Sequence, residues 1–288
     1  MAVLLRESID FFSYYRKFFL MSDIIKAIIL GIVEGITEFL PVSSTGHLIL
    51  VNQFIAFDEQ FTKMFDIVIQ LGAILSVVVY FRKRLFAFEK VNGSYFQSQT
   101  ADLWKKAIIG VLPALVIGAM FGKQIQSSLF NPLTVAGALI IGGIALIVLE
   151  NRKQREKIST IALLDYKTVL LIGLIQCLAM IPGTSRAAAT IIGAMLLGCS
   201  RLVAAEFSFF LAIPTLFAAS AYSLFKMGFT MTLDQEIVLA VGFVVSFLVA
   251  LLVIAGFMKF ISRHDFKPFG YYRIILGGAV LAFFLFVR

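Results

Sequence analysis

The chain has 288 residues, of which 60% are hydrophobic and only 15% are charged, and its mean hydropathy is +0.96. Soluble domains are about half apolar and about one-quarter charged, so this composition excludes an ordinary soluble protein and indicates a membrane protein. The formal net charge is +8, but the basic residues lie in short loops between apolar stretches rather than in an aromatic-interleaved patch. We therefore expect no nucleic-acid partner, and the positive-inside rule explains the charge better.

In chain order, residues 1–21 come first, and we interpret them as an N-terminal extension. It is either an amphipathic surface helix or the product of an upstream start before Met21. Six apolar stretches then approach or exceed the roughly 17 to 25 residues that a spanning helix needs. They lie at 64–81, 107–121, 133–149, 203–225, 237–258 and 269–287.

Two further segments, 23–57 and 168–198, each contain two short apolar pieces separated by a polar tip. Such a segment is typical of a hairpin that enters and leaves the membrane on one side. Irregular backbone at that depth is tolerated only where protein or a watery cavity covers it. The sequence therefore predicts an all-α polytopic membrane protein with six full spans and two re-entrant hairpins.

The two hairpin segments resemble each other. Residues 31–47 read GIVEGITEFLPVSSTGH and residues 173–190 read GLIQCLAMIPGTSRAAAT, each a Gly-rich stem broken at a proline and followed by hydroxyl residues. Outside the hairpins, residues 65–75 correspond to 207–217, and 131–143 to 267–279. We interpret 22–150 and 151–288 as two repeats of one hairpin plus three spans, and the odd number of spans inverts the second repeat. Chance similarity between apolar segments is the alternative.

The distribution of basic residues predicts the orientation. Fifteen Lys and Arg residues lie in the segments 82–106, 150–167, 199–202 and 259–267, whereas the loops and the C-terminus assigned to the other side hold four. Positively charged loops stay in the cytoplasm. The first hairpin would then open to the outside and the second to the cytoplasm, with their tips meeting near the midplane.

Two carboxylates, Glu34 and Glu38, lie four residues apart in the first stem and therefore project from one helix face. Two like charges at membrane depth are unfavourable unless a positive group holds them. A divalent cation, which prefers carboxylate oxygens, or Arg186 from the second hairpin would do so. The alternatives are a carboxylate pair at a wet helix end or one protonated glutamic acid.

The first tip carries Ser43, Ser44, Thr45 and His47 after Pro41. Hydroxyl residues are ordinary helix N-caps, but capping does not account for four polar side chains in five residues. A helix start also offers free N–H groups and a positive dipole end, which favour phosphate. His47, beside hydroxyls and carboxylates, is predicted to act as a nucleophile or general acid/base. The alternative is a buried polar group with satisfied hydrogen bonds.

The second tip repeats this arrangement with a cation added. Thr184, Ser185 and Arg186 follow Pro182, and Thr190 lies four residues after Arg186 on the same helix face. A guanidinium can bind phosphate oxygens bidentately, so we predict that Arg186 and the hydroxyls of this tip contact phosphate. The acids and the histidine thus lie on one hairpin and the cation on the other.

At these residues the chain resembles the bacterial undecaprenyl-diphosphate phosphatase family, whose members are also called bacitracin-resistance proteins. The resemblance rests on EGITEFLPVSSTGH (34–47), PGTSRAAAT (182–190) and EFSFFLAIP (206–214), and it runs from about Ser22 to the C-terminus. One departure is Ala187, where the family pattern usually has serine after the arginine, so this chain has no hydroxyl at that position.

The resemblance implies hydrolysis of a C55 polyprenyl diphosphate to the monophosphate carrier lipid and inorganic phosphate. It further implies a bacterial inner-membrane location, a site open to the outer face, and a requirement for Mg²⁺ or Ca²⁺. Glu34 and Glu38 would hold the metal, and His47 or Ser44 would attack phosphorus or activate water. Substrate binding would use the tip hydroxyls and the cation: Ser43, Thr45, Thr184, Ser185, Arg186 and Thr190. A transporter or lipid-phosphate flippase is the alternative, and the sequence leaves a homodimer open.

Overall fold

The computed structural model describes residues 21–91, 95, 98–152, 156–228 and 231–286. Within these ranges the chain forms helices joined by loops, with one isolated backbone bridge between Ile158 and Cys199. The extension predicted for residues 1–21 lies outside the described residues except for Met21. The helices are α1 (21–37), α2 (Ser44–Ile55), α3 (Glu59–Tyr80), α4 (Arg82–Phe86), α5 (Gln99–Leu129), α6 (Pro132–Asn151), α7 (Tyr166–Gln176), α8 (Arg186–Leu196), α9 (Arg201–Met227), α10 (Leu233–Ile261) and α11 (Lys267–Phe286).

Six of these helices are long and apolar enough to cross a membrane, which confirms the prediction of an all-helical polytopic membrane protein. They are α3, α5, α6, α9, α10 and α11. Each overlaps one of the six apolar stretches predicted from the sequence. Their ends carry side-chain caps where the chain leaves the apolar region; Asp58, Asn131 and Ser200 each accept a hydrogen bond from a first-turn backbone N–H.

Both segments predicted as hairpins consist of two short helices separated by a turn. In the first, α1 ends at residue 37 and α2 begins at Ser44. In the second, α7 ends at Gln176, a 3₁₀ turn covers Cys177–Met180, and α8 begins at Arg186. The break falls at the proline-containing tip in both cases, because proline lacks the N–H that would continue the helix.

The long helices pack in pairs drawn from the two halves of the sequence. Helix α6 packs along α11, and α3 packs along α10. Small residues permit this approach: an added Cβ at Gly143 of α6 would lie 2.6 Å from the carbonyl oxygen of Gly270 in α11. Close packing through small residues holds membrane helices together where lipid offers no hydrophobic driving force. The two tips are thereby enclosed between helices of both halves.

Candidate active site

The two tips meet at the carboxylate of Glu38, which lies at the end of the first stem and is 5% exposed. Its Oε1 accepts a hydrogen bond from Nη2 of Arg186 at 3.0 Å, and its Oε2 accepts one from the hydroxyl of Ser44 at 2.6 Å. Gln70 of α3 donates to the same Oε2 at 3.5 Å. One carboxylate therefore joins a hydroxyl of the first tip to the cation of the second.

Arg186 is held on its other side by α9. Its Nη1 donates to the carbonyl of Ser208 at 3.0 Å and to the Ser208 hydroxyl at 3.3 Å, and the guanidinium lies over the ring of Phe39. Among the described residues, Nε of Arg186 is buried and has no hydrogen-bond partner. The guanidinium is thus fixed in place with one donor still available.

Thr190 belongs to the same network but faces inward. Its side chain is fully buried, and its hydroxyl donates to backbone carbonyls of the preceding turn, those of Arg186 at 2.9 Å and Ala187 at 3.1 Å. It also contacts the Ser208 hydroxyl at 2.7 Å. These contacts orient Ser208 and through it Arg186.

Glu34, one turn before Glu38, is 1% exposed, and neither carboxylate oxygen has a hydrogen-bond partner within the described residues. Burial of an uncompensated carboxylate is costly, so such a group calls for a proton or a cation. Negative charge on Glu38 and on Asp66 of α3 repels a charge on Glu34, and Arg186 offsets part of that repulsion. Hard divalent cations favour carboxylate oxygens, so the donor set at Glu34 fits Mg²⁺ or Ca²⁺. No group of three or more His, Cys, Asp or Glu side chains forms a metal cluster in the described part of the chain.

Each tip ends in a serine with an unusual backbone. Ser43 has φ of 74° and Ser185 has φ of 70°, and they are the non-glycine residues with positive φ in the described ranges. Each caps the following helix, since Ser43 Oγ accepts from the N–H of Gly46 and Ser185 Oγ from that of Ala188. A non-glycine residue in this region costs roughly 1–3 kcal/mol, and such strain clusters at functional sites. Both tips therefore share one strained, capped geometry.

His47 is engaged at both ring nitrogens. Nδ1 lies 2.8 Å from the carbonyl oxygen of Ser43, and Nε2 lies 2.6 Å from the hydroxyl of Tyr272 in α11. Because a carbonyl only accepts, Nδ1 carries the proton, and in the neutral ring Nε2 accepts from Tyr272. The two rings are stacked with centroids 5.6 Å apart. His47 is therefore oriented by Tyr272 rather than by Glu34 or Glu38.

The remaining predicted residues lie at the edge of this arrangement. Thr45 is exposed on the first turn of α2, and Thr184 is half-buried in the second tip. The site predicted from the sequence did not include Ser208, Tyr272 or Arg273, although all three lie within 207–217 and 267–279, segments of the predicted second repeat. Arg273, like Arg186, is a cation within an apolar stretch, and this property alone would have predicted a functional role for Arg273.

These features define a polytopic membrane protein with a charged site buried where two interrupted helices meet. The family model described as "Bacitracin resistance protein BacA" matches residues 27–279. The chain belongs to this family.

Similar proteins cover nearly the whole chain. Undecaprenyl-diphosphatase 1 of Clostridioides difficile (strain 630) is 53% identical over 268 residues, which are 92% of this chain and 98% of the relative. Undecaprenyl-diphosphatase of Acetivibrio thermocellus is 50% identical over 93% of this chain and 100% of its own length. That of Enterococcus faecalis is 49% identical over 90% and 96%, respectively.

Proposed function

We propose that this protein is an undecaprenyl-diphosphatase, which hydrolyses undecaprenyl diphosphate to undecaprenyl phosphate and inorganic phosphate. The observation that carries the proposal is the carboxylate of Glu38, which contacts both Ser44 and Arg186 in a chain whose relatives bear this enzyme name. Regeneration of the monophosphate returns the carrier lipid to cell-wall synthesis. It also removes the diphosphate form, which accords with the family description of bacitracin resistance.

The architecture we propose is an inverted repeat of 22–150 and 151–288, each a re-entrant hairpin plus three spans. Three observations support it. The hairpins share a strained serine cap, the third spans of the two halves (α6 and α11) pack together, and the first span of one half packs on the second span of the other (α3 on α10, and α9 on α5). A local two-fold axis would produce this pairing.

Phosphate binding is assigned to the second tip together with the helix starts. Arg186 has an unpartnered Nε–H that can donate to a phosphate oxygen, and a charge-assisted bond of this kind is worth roughly 1.5–3 kcal/mol. The N-termini of α2 and α8 add partial positive charge on either side. The two helix starts are formed or supported by the predicted substrate-binding hydroxyl residues Ser43, Thr45, Thr184, Ser185 and Thr190. The isoprenoid chain of the substrate would extend along the lipid-exposed faces of the helices.

For the chemical step, Ser44 is the nucleophile that the contacts favour. Its hydroxyl already donates to Glu38 at 2.6 Å, which is the reach needed for a general base. The Ser44 oxygen would bond to the terminal phosphorus as its proton moves to Glu38 and the phosphoanhydride bond breaks, releasing undecaprenyl phosphate. Water then attacks the phosphorus, the bond to the Ser44 oxygen breaks, and that oxygen takes back the proton from Glu38. His47 would accept the proton of the water at Nε2 when the water replaces the Tyr272 hydroxyl as its hydrogen-bond donor.

A divalent cation, Mg²⁺ or Ca²⁺, belongs to this proposal, with Glu34 and Glu38 as its protein ligands. When bound it would neutralise diphosphate charge and polarise the phosphoryl group. Mg²⁺ is commonly held by one or two carboxylates plus substrate phosphates and water, so two glutamates suffice. Without it, Glu34 has no hydrogen-bond partner among the described residues, because Arg186 bonds to Glu38 instead.

We place the protein in the bacterial inner membrane, with the site open to the outer face. The positively charged loops support this orientation, because they would lie in the cytoplasm. The surrounding membrane lipid covers the apolar outer faces of α5, α6, α10 and α11. A homodimer remains a prediction, which sedimentation in matched detergent would test.

The test is phosphate release from undecaprenyl diphosphate by the purified protein in detergent, with Mg²⁺, with Ca²⁺ and with chelator. We expect release that requires the metal. Absence of release with either ion would refute the enzyme assignment. Transport of a lipid phosphate or other anion by the same scaffold is the alternative, but the names of the relatives do not favour it.

A further inference from the structure

A fully buried arginine, Arg273 of α11, lies between the two tips. Its Nη1 donates to the carbonyl of Pro41 in the first tip at 3.1 Å, and its Nη2 donates to the carbonyl of Gly183 in the second tip, also at 3.1 Å. Two further bonds reach carbonyls of α6, at Ala138 and Leu139. One guanidinium therefore touches both halves of the site and the helix on which they rest.

The partners of Arg273 are unusual for a buried cation. Every hydrogen-bond acceptor it has among the described residues is a backbone carbonyl, whereas the buried cations Arg186 and Lys106 are each paired with a carboxylate, Glu38 and Asp102 respectively. Desolvation of a charge is costly, and carbonyl dipoles compensate it less than a carboxylate does. A residue retained only to join α11 to α6 would not need a charge that reaches both tips.

The contacts with the tips fix their separation. Pro41 and Gly183 occupy the breaks of the two interrupted helices, two and three residues before Ser43 and Arg186, respectively. Gly183 has φ of 91°, and an added Cβ there would meet the carbonyl of Val135 in α6 and lie 2.8 Å from its Cα. The second tip therefore packs directly against α6, and Arg273 joins this packed tip to the first tip.

We propose that Arg273 is a positioning residue for the phosphatase site: by holding the Pro41 and Gly183 carbonyls with one rigid guanidinium, it sets the distance between the tips at which Ser44, Glu38 and Arg186 meet. Its charge, which bonds only to carbonyl dipoles among the described residues, adds positive potential between the tips. The expected effect of Arg273 on kcat rests on the proposed function, whereas its effect on the distance between the tips does not.

We call the bonds from Arg273 to the Pro41 and Gly183 carbonyls the clamp. Helix α6 offers a matched pair of glycine substitutions that tests the clamp without altering Arg273. An added Cβ at Gly142 would meet Nη2 of Arg273 and lie 2.9 Å from its Cζ, whereas one at Gly137 has nothing within 4 Å. Both positions are helical, so alanine raises helix propensity equally at each. We expect Gly142→Ala to lower kcat at least about tenfold with KM within about threefold, since small displacements of reacting groups have large effects on rate. Gly137→Ala should keep the wild-type kcat.

A second pair separates positioning from mere stability. Arg273→Lys keeps the charge but cannot reach four carbonyls, because an ammonium group is compact and has three donors. Lys106→Met is its control, since Lys106 of α5 is another buried cation; it donates to the backbone carbonyls of Ile161 and Ala162, pairs with Asp102, and has no bond to either tip among those described. Both variants should unfold at lower temperature, but only Arg273→Lys should lower kcat per folded molecule.

The third measurement does not depend on activity. Spin labels on cysteines at Thr45 and Thr184, one on each tip, report the distance between the tips in a background without Cys177 and Cys199. The distribution should broaden or shift in Gly142→Ala and Arg273→Lys and stay unchanged in Gly137→Ala and Lys106→Met. An unchanged distribution with wild-type kcat in both test variants overturns the clamp. A shifted distribution in a protein whose wild type releases no phosphate supports the clamp and refutes the proposed function.

Discussion

Replacement of Arg186 by alanine tests the central contact of the site. The guanidinium bonds to Glu38 and twice to Ser208, and its Nε–H is unpartnered within the described residues. In the proposed reaction this Nε–H and the adjacent charge act on the phosphoryl oxygens. Loss of one charge-assisted bond and of the charge itself should cost about 3 kcal/mol of transition-state stabilisation, which is about a hundredfold or more in kcat/KM.

The same substitution also has a folding cost that must be separated from the catalytic one. Glu38 is 5% exposed, and removal of its partner leaves a buried carboxylate uncompensated, a change worth roughly 3–5 kcal/mol of stability. Arg201→Ala is the matched control, because Arg201 bonds bidentately to the equally buried Glu150 outside the site. Arg201 itself is more exposed, so its stability loss should be somewhat smaller.

The assay is phosphate release from undecaprenyl diphosphate, normalised to folded protein measured by thermal unfolding in the same detergent. Arg186→Ala should lose activity at least about a hundredfold per folded molecule, and Arg201→Ala should stay within about threefold of wild type. If Arg186→Ala turned over at a near wild-type rate, or if both variants lost activity in proportion to stability alone, a site built from two tips would be wrong.

Three further outcomes are expected. Brief reaction with substrate labelled in the terminal phosphate should give an acid-stable phosphoprotein that Ser44→Ala abolishes; an acid-labile adduct that His47→Ala abolishes would assign the nucleophile to the histidine instead. Treatment with chelator should abolish turnover, and added Mg²⁺ or Ca²⁺ should restore it; activity that persists in chelator would refute the role of Glu34 as a ligand. In a background without native cysteines, Ser128→Cys should react with an impermeant thiol reagent on intact cells and Ser159→Cys only after permeabilisation, and the reverse pattern would overturn the orientation.

The sequence identified much of the site because its signals are chemical and local. Glu34, Glu38 and Arg186 are ionisable residues in apolar stretches, where charge is costly and is kept for a reason. Ser43, Ser44 and His47 follow a proline that ends a helix, so their clustering could be read directly. The six spans could also be predicted from the sequence, because length and hydropathy decide whether a helix can cross a bilayer.

Other features depended on contacts between residues far apart in the chain. Arg273 stands about 230 residues from Pro41, and only the packing of α11 on α6 brings its guanidinium to both tips. Tyr272 reaches His47 for the same reason, and Ser208 reaches Arg186 through the packing of α8 on α9. A periodic pattern shows which face of a helix is apolar, but it does not say which neighbour that face will meet.

By itself, then, the sequence determined the class of protein, the positions of its helices and breaks, and the charged groups of the site. It did so because solvation free energy in lipid acts on each residue type wherever it lies. Only the tertiary structure decided which groups pair. Glu38 bonds to both Ser44 and Arg186. Glu34 has no hydrogen-bond partner within the described residues, and His47 bonds to Tyr272. Hydrogen bonds act over about 3 Å, so these pairings are set by how the helices pack and not by the order of residues along the chain.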